Sequence, residues 1–190
     1  MDAGKAAGVC DTRHGQLLVV DIQERLASAM AEADRARVCR TAAGLARAAA
    51  TLEIPVTVTE QYPQGIGATE AAVKAALPDT ARLLEKTAFS CCGEAPIMER
   101  LQGLARPQVV LCGMEAHVCI LQTALGLLQA GFAVFVVQDG VCSRDAEHRR
   151  NALERMARAG IIVSNYESVL FEWLGDSRHP RFRDLLPLVR

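Results

Sequence analysis

Five short apolar runs rich in β-branched residues recur along this 190-residue chain, at 16–22 (QLLVVDI), 54–59, 108–112, 132–138 and 160–164. They are hydrophobic on both faces instead of alternating, the pattern of strands in a parallel sheet covered on both sides. Residues 82–85 (RLLE) form a weaker sixth strand, assigned because it fits the alternation of elements. Between the runs lie helical stretches at 33–53, 118–130 and 146–159. The second carries Leu121, Leu125 and Leu128 on one helical face. Strand and helix repeats with short connections predict a three-layer, doubly wound Rossmann-like α/β fold around a central six-stranded parallel sheet.

Punctuation residues agree with these boundaries. Pro55 opens a strand, where its missing N–H is tolerated. Gly131 follows a helix, and Asp145 can cap the next one. No repeat, low-complexity segment or linker divides the chain, so one domain is expected over 10–190, with 1–9 as a flexible N-terminus. The tail from Asp176 is polar and then apolar at Leu185, Leu186 and Leu188. It is expected to dock as a short helix or to reach a neighbouring subunit.

Charge narrows the partners. Lys plus Arg total 21 against 22 Asp plus Glu, a net charge of −1. A chain so balanced has no electrostatic footprint for nucleic acid or an anionic membrane. No apolar run reaches the roughly 20 residues of a spanning helix. Seven cysteines, at 10, 39, 91, 92, 112, 119 and 142, are odd in number and irregular in spacing. They point to a reducing compartment, and the first fifteen residues lack the apolar stretch of a secretory signal. A cytoplasmic protein is expected.

In an open parallel sheet the ligand crevice lies beyond the carboxyl ends of the strands. Asp21 ends the first run, Lys86 ends the weak third one, and Cys119 lies in LCGMEAHVCILQTAL, where a strand turns into a long apolar helix. A cysteine at a helix start is expected to favour thiolate, because the helix dipole and free backbone N–H groups stabilise negative charge. A carboxylate on the adjacent strand can take the thiol proton and return it to a leaving group. Lys86 supplies fixed positive charge between them. The six other cysteines read as filling or surface: Cys39 and Cys112 in apolar contexts, Cys10 in a loose terminus, Cys142 in a loop. Adjacent Cys91 and Cys92 could bridge only with strained geometry. His117, two residues before Cys119, does not face it on a helix and reads as pocket wall. His14, His148 and His179 read as solvated.

These strings together resemble the isochorismatase-like cysteine hydrolases. The resemblance runs from LLVVDIQ at 17–23 through EKTAFS at 85–90 and CGMEAHVC at 112–119 to VVQDGVCSR at 136–144. It implies a hydrolase with a catalytic set of Asp21, Lys86 and Cys119. Attack by the Cys119 thiolate on a small amide, imide or related carbonyl compound would give a thioester-type intermediate, with Asp21 as proton shuttle. It further implies a cis peptide joining Met114 to Glu115, and an oxyanion hole made by the N–H groups of Glu115 and Cys119. Gln61, Tyr62, Phe89 and Glu115 would be substrate contacts. Family members commonly assemble as homo-oligomers, so a dimer or tetramer is expected, with Phe171, Trp173 and Leu174 as interface candidates. Nicotinamidases of the family carry an Asp and His metal cluster after the second strand. Here 59–69 reads TEQYPQGIGAT, without His, so no metal or other cofactor is expected. SRDAEHRRNAL and the TEQYP loop look closest to the isochorismatase-domain-containing branch.

Two other readings compete. A catalytically silent relative could serve as an interaction scaffold, against which stands the retention of all three residue types. Dinucleotide or flavin binding has only fold analogy behind it, since DIQERLASAM follows the first strand in place of a Gly-rich turn.

Overall fold

A computed structural model of the chain describes residues 8–189. Six parallel strands form one sheet in the order β3-β2-β1-β4-β5-β6, flanked by helices on both faces. The strands are β1 (Gly15–Val20), β2 (Val56–Gln61), β3 (Arg82–Lys86), β4 (Gln108–Met114), β5 (Ala133–Cys142) and β6 (Ile162–Ser164). The expected segment 1–9 lies outside the described residues apart from Gly8 and Val9, and the Val9 carbonyl accepts a hydrogen bond from Gln108.

In the central strands β1 and β4, where every residue is buried, alternation sends successive side chains to opposite faces. Leu17 and Val19 of β1 join one core, while Leu18 and Val20 join the other. The first core is closed by α1 (Glu24–Ser28), α2 (Glu32–Thr51), α4 (Ala71–Lys74), α8 (Tyr166–Leu174) and α9 (Phe182–Leu185). Short α3 (Pro63–Ile66) buries nothing. The second is closed by α5 (Ala95–Gly103), α6 (Leu121–Gln129) and α7 (Ala146–Arg158). The Asp145 side chain accepts from the N–H of Glu147 and caps α7. The tail docks: Leu185 is buried, and the Tyr166 hydroxyl donates to the Leu188 carbonyl.

Several local expectations give way to long-range contacts. Cys10 is buried, its N–H held by the carboxylate of Glu172, and Cys142 is the buried last residue of β5. Trp173 and Leu174 are core residues of α8, leaving Phe171, 41% exposed, as the one surface residue of that trio. Strand β5 runs on past Gln138 through an irregularity: Val136 and Val141 pair with Leu111 and Gly113 of β4. Carbonyls freed there are taken by two guanidinium groups, Arg37 on those of Asp139 and Val141 and Arg149 on those of Gln138 and Val141.

Strand order reverses between β1 and β4, because the chain leaves β1 outward through β2 and β3 and returns to β4 on the other side. A crevice opens where the following loops diverge. Gly113 makes this close approach possible. Its φ is 140°, and a Cβ there would lie 2.0 Å from the Val20 carbonyl oxygen. Gly113→Ala is expected to lower stability in urea denaturation by about 3 kcal/mol or more, from backbone strain plus the clash. Gly103→Ala, where a Cβ meets nothing within 4 Å, is expected to be neutral or slightly stabilising.

Candidate functional site

Three chain segments converge at the crevice. Asp21 follows the last residue of β1, Lys86 is the last residue of β3, and Cys119 lies in a π-type turn, Ala116–Ile120, between β4 and α6. That turn replaces the regular helix start expected at 118. The Glu115 carbonyl accepts from both Val118 and Ile120, which widens the turn. The Met114–Glu115 peptide before it is cis.

The Lys86 ammonium is the hub. Its Nζ lies 2.7 Å from Asp21 Oδ2, 2.6 Å from Gln61 Oε1, 3.1 Å from the carbonyls of both Ala88 and Phe89, and 3.6 Å from Cys119 Sγ. An ammonium has three hydrogens, so these acceptors saturate it, and it serves as a fixed cation. Burial acts to lower its pKa, but the Asp21 carboxylate overrides this and the net shift is upward. Lys86 therefore stays charged.

Asp21 is fully buried. Burial pushes its carboxyl up from the ordinary range, and Lys86, Thr59 and Cys119 offset this only in part. Cys119, 5% exposed, is pushed up to about 12, first by burial and then by the Asp21 carboxylate, with Lys86 opposing. The expectation of a favoured thiolate at this helix start is thus corrected. Burial first, and the Asp21 carboxylate second, outweigh the local dipole and favour the thiol form. Carboxylate and thiol both face one ammonium.

The surrounding residues divide into held and free. Gln61 accepts from Lys86 and donates to the Thr87 carbonyl, so its side-chain amide is engaged at both ends and orients Lys86. The Glu115 carboxylate is buried and accepts from the N–H and the Nε of Arg144. Tyr62 and Phe89 are 56% and 57% exposed. Tyr62 has a φ of 36°, and its ring lies where a Cβ on Gly65 would collide. His117 shares a hydrogen bond with Ser143 through Nδ1 and packs against His148, ring centroids 4.7 Å apart, so exposed His148 is not simply solvated.

Two positions had no signal of their own in the sequence: Thr59, which donates to Asp21 Oδ1 at 2.7 Å, and Thr123, which accepts from the Cys91 N–H at 3.0 Å. A threonine in an apolar run reads as a strand former, and only the pairing of β1 with β2 reveals its partner. Cys91 and Cys92 are both free thiols, as are the other five cysteines. Among the described residues, no group of three or more His, Cys, Asp or Glu is placed to hold a metal ion. None of their helices is long and apolar enough to cross a membrane.

Comparison with known proteins agrees with this architecture. The isochorismatase domain model matches residues 16–168, and the chain belongs to that family. Isochorismatase domain-containing protein 1 of Salmo salar is 44% identical over 149 residues, 77% of this chain and 51% of that protein, so the chain spans about half the length of the salmon relative. Isochorismatase domain-containing protein 2 of Xenopus laevis is 34% identical over 190 residues, 100% of this chain and 90% of that protein. A Caenorhabditis elegans structure described as MAR1 ribonuclease superposes with a TM-score of 0.90 at 36% identity, covering 95% of this chain and 92% of its own.

A coupled carboxyl and thiol titrate as a pair in two macroscopic steps. Alkylation of Cys119 by iodoacetamide, followed by peptide mass mapping, is expected to accelerate in two stages as pH rises. The first lies above the usual aspartate value of about 3.9, where the pair loses its first proton, and the second is alkaline. Asp21→Asn is expected to leave only the alkaline rise. One stage in the unaltered protein would contradict the pairing.

Proposed function

We propose that this protein is a cysteine hydrolase acting on a small amide, imide or related carbonyl compound, with Cys119 as nucleophile, Asp21 as proton acceptor and donor, and Lys86 as fixed cation. The observation that carries this reading is the convergence of Asp21 and Cys119 on one buried ammonium at the sheet's switch point. Membership of a family with hydrolase chemistry supports it.

In the first step the Cys119 S–H proton passes to the Asp21 carboxylate as sulfur attacks the substrate carbonyl. The carbonyl π electrons move onto oxygen, and the N–H groups of Glu115 and Cys119 stabilise that oxyanion. Collapse expels the leaving amine, which takes the proton from Asp21, and a thioester on Cys119 remains. Water then gives a proton to Asp21 and attacks the thioester, and the proton returns to sulfur as it leaves. Lys86 keeps its proton throughout and lowers the cost of placing negative charge on oxygen and sulfur in a dry pocket. Exposed Tyr62 and Phe89 and buried Glu115 are the proposed substrate contacts. Gln61, engaged at both ends, supports Lys86.

Neither a cofactor nor a nucleic acid or membrane partner enters this scheme. The name of the nematode neighbour makes RNA a further substrate class to screen, whereas a net charge of −1 and a thiol only 5% exposed favour a small molecule. The reading includes a single domain over 10–190, a reducing cytoplasmic setting consistent with seven free thiols, and assembly as a dimer or tetramer. Exposed Tyr62, Leu83, Phe89 and Phe171 supply apolar surface for such assembly.

A panel of amides, carbamoyl compounds, vinyl ethers and RNA tests the reaction class. Turnover of a carbonyl compound is expected to fall by about 10³-fold or more in Cys119→Ala, with the circular dichroism spectrum unchanged. RNA cleavage that survives in Cys119→Ala, with every carbonyl compound inert, would overturn the proposal.

A further inference from the structure

Thr59 grips Asp21 twice. Its carbonyl accepts from the Asp21 N–H at 3.1 Å, and its hydroxyl donates to Asp21 Oδ1 at 2.7 Å. Both residues are fully buried, so no solvent is at hand to replace either bond. Strand pairing fixes the donor, because Val20 faces Thr59 in the β1 and β2 register. The acceptor needs fixing, since Asp21 has left the strand with a φ of 52°, a left-handed conformation uncommon for non-glycine residues, and so is no longer held by the strand register. Oδ1 is hydrogen-bonded to Thr59 and Oδ2 is ion-paired with Lys86, so the carboxylate is held on both oxygens; besides Lys86 and Cys119, the buried Cys91 thiol also faces Thr59 and Asp21. Thr57, two residues earlier on the same strand, is equally buried, yet its hydroxyl finds no partner. Burial of a threonine in β2 therefore does not by itself produce such a bond.

We propose that Thr59 is a positioning residue, which aims the Asp21 carboxylate and holds it ionised for proton exchange with Cys119. In that exchange the S–H bond breaks, an O–H bond forms on the carboxylate, and negative charge passes from oxygen to sulfur. A donor to the ionised carboxylate stabilises that form selectively, so its loss raises the pH at which Asp21 gives up its proton. The inference rests on the cysteine-hydrolase reading of the same site, and the two fail differently.

The test needs no substrate. The pH dependence of Cys119 alkylation by iodoacetamide is followed in the unaltered protein, Thr59→Val, Thr59→Ser and Thr57→Val. The acidic rise is expected to move up by about one pH unit in Thr59→Val, to return toward its original place in Thr59→Ser, and to stay put in Thr57→Val. Should Thr59→Val fail to fold, Thr59→Ala against Thr59→Ser makes the same comparison, since both lose the methyl group and only one keeps the hydroxyl. An acidic rise unmoved in the variants lacking the hydroxyl, whatever their melting temperature, overturns the role of Thr59 alone. Absence of any acidic rise in the unaltered protein overturns the pairing of Asp21 with Cys119, and the hydrolase reading with it.

Discussion

The buried ion pair between Lys86 and Asp21 is the interaction on which the rest of the site depends. Taking a carboxylate and an ammonium out of water costs several kcal/mol per ion, and their attraction offsets this only when the remaining hydrogen-bonding capacity is also met. Here it is met by Gln61 and the Ala88 and Phe89 carbonyls around Lys86, and by Thr59 beside Asp21. Those partners come from β2 and from the loop after β3. The pair therefore requires the sheet to be assembled in its observed order, and its presence commits the protein to one arrangement of three strand ends.

That commitment sets the state of the sulfur. A cysteine near a helix start would, on local grounds, carry a depressed pKa. Held within the same ring of contacts as a buried carboxylate, Cys119 is instead pushed toward its protonated form, first by burial and then by that carboxylate. In the proposed mechanism this suits a resting enzyme, because a thiol with an adjacent acceptor becomes nucleophilic as a substrate carbonyl arrives. A permanent thiolate would be exposed to oxidants. Close passage of Gly113 against Val20 brings the β4 loop near enough to Asp21 for one ammonium to serve both groups.

Much of this was legible in the sequence. Five apolar runs mark parallel strands because burial on both faces leaves a local signature, whereas the largely exposed β3 follows only from the alternation of elements; Asp21 and Lys86 stand out as reactive side chains at strand ends. What stayed hidden was carried by contacts between distant segments. Cys10 looked like part of a loose terminus until Glu172 was seen to hold it, and Trp173 looked available for an interface until α8 was seen packed into the core. The carbonyls of the extended β5 are capped by Arg37, which lies about a hundred residues earlier, together with the nearby Arg149. Thr59 reads as an ordinary strand residue and Gln61 as a substrate contact, and their bonds to Asp21 and Lys86 appear only when β1, β2 and β3 are side by side. The same holds for the acidity of Cys119: the helix start is a local feature, whereas the burial and the Asp21 carboxylate that oppose it come from the assembled fold.

The most direct test of the central claim, that Cys119 acts as a covalent nucleophile, is a mass spectrum of the acid-quenched protein during turnover of whichever carbonyl compound it hydrolyses. The account predicts an acyl adduct, sensitive to hydroxylamine, on the peptide containing Cys119, and no adduct in Cys119→Ala. Turnover with no adduct at any quench time, or an adduct confined to another residue, would contradict it.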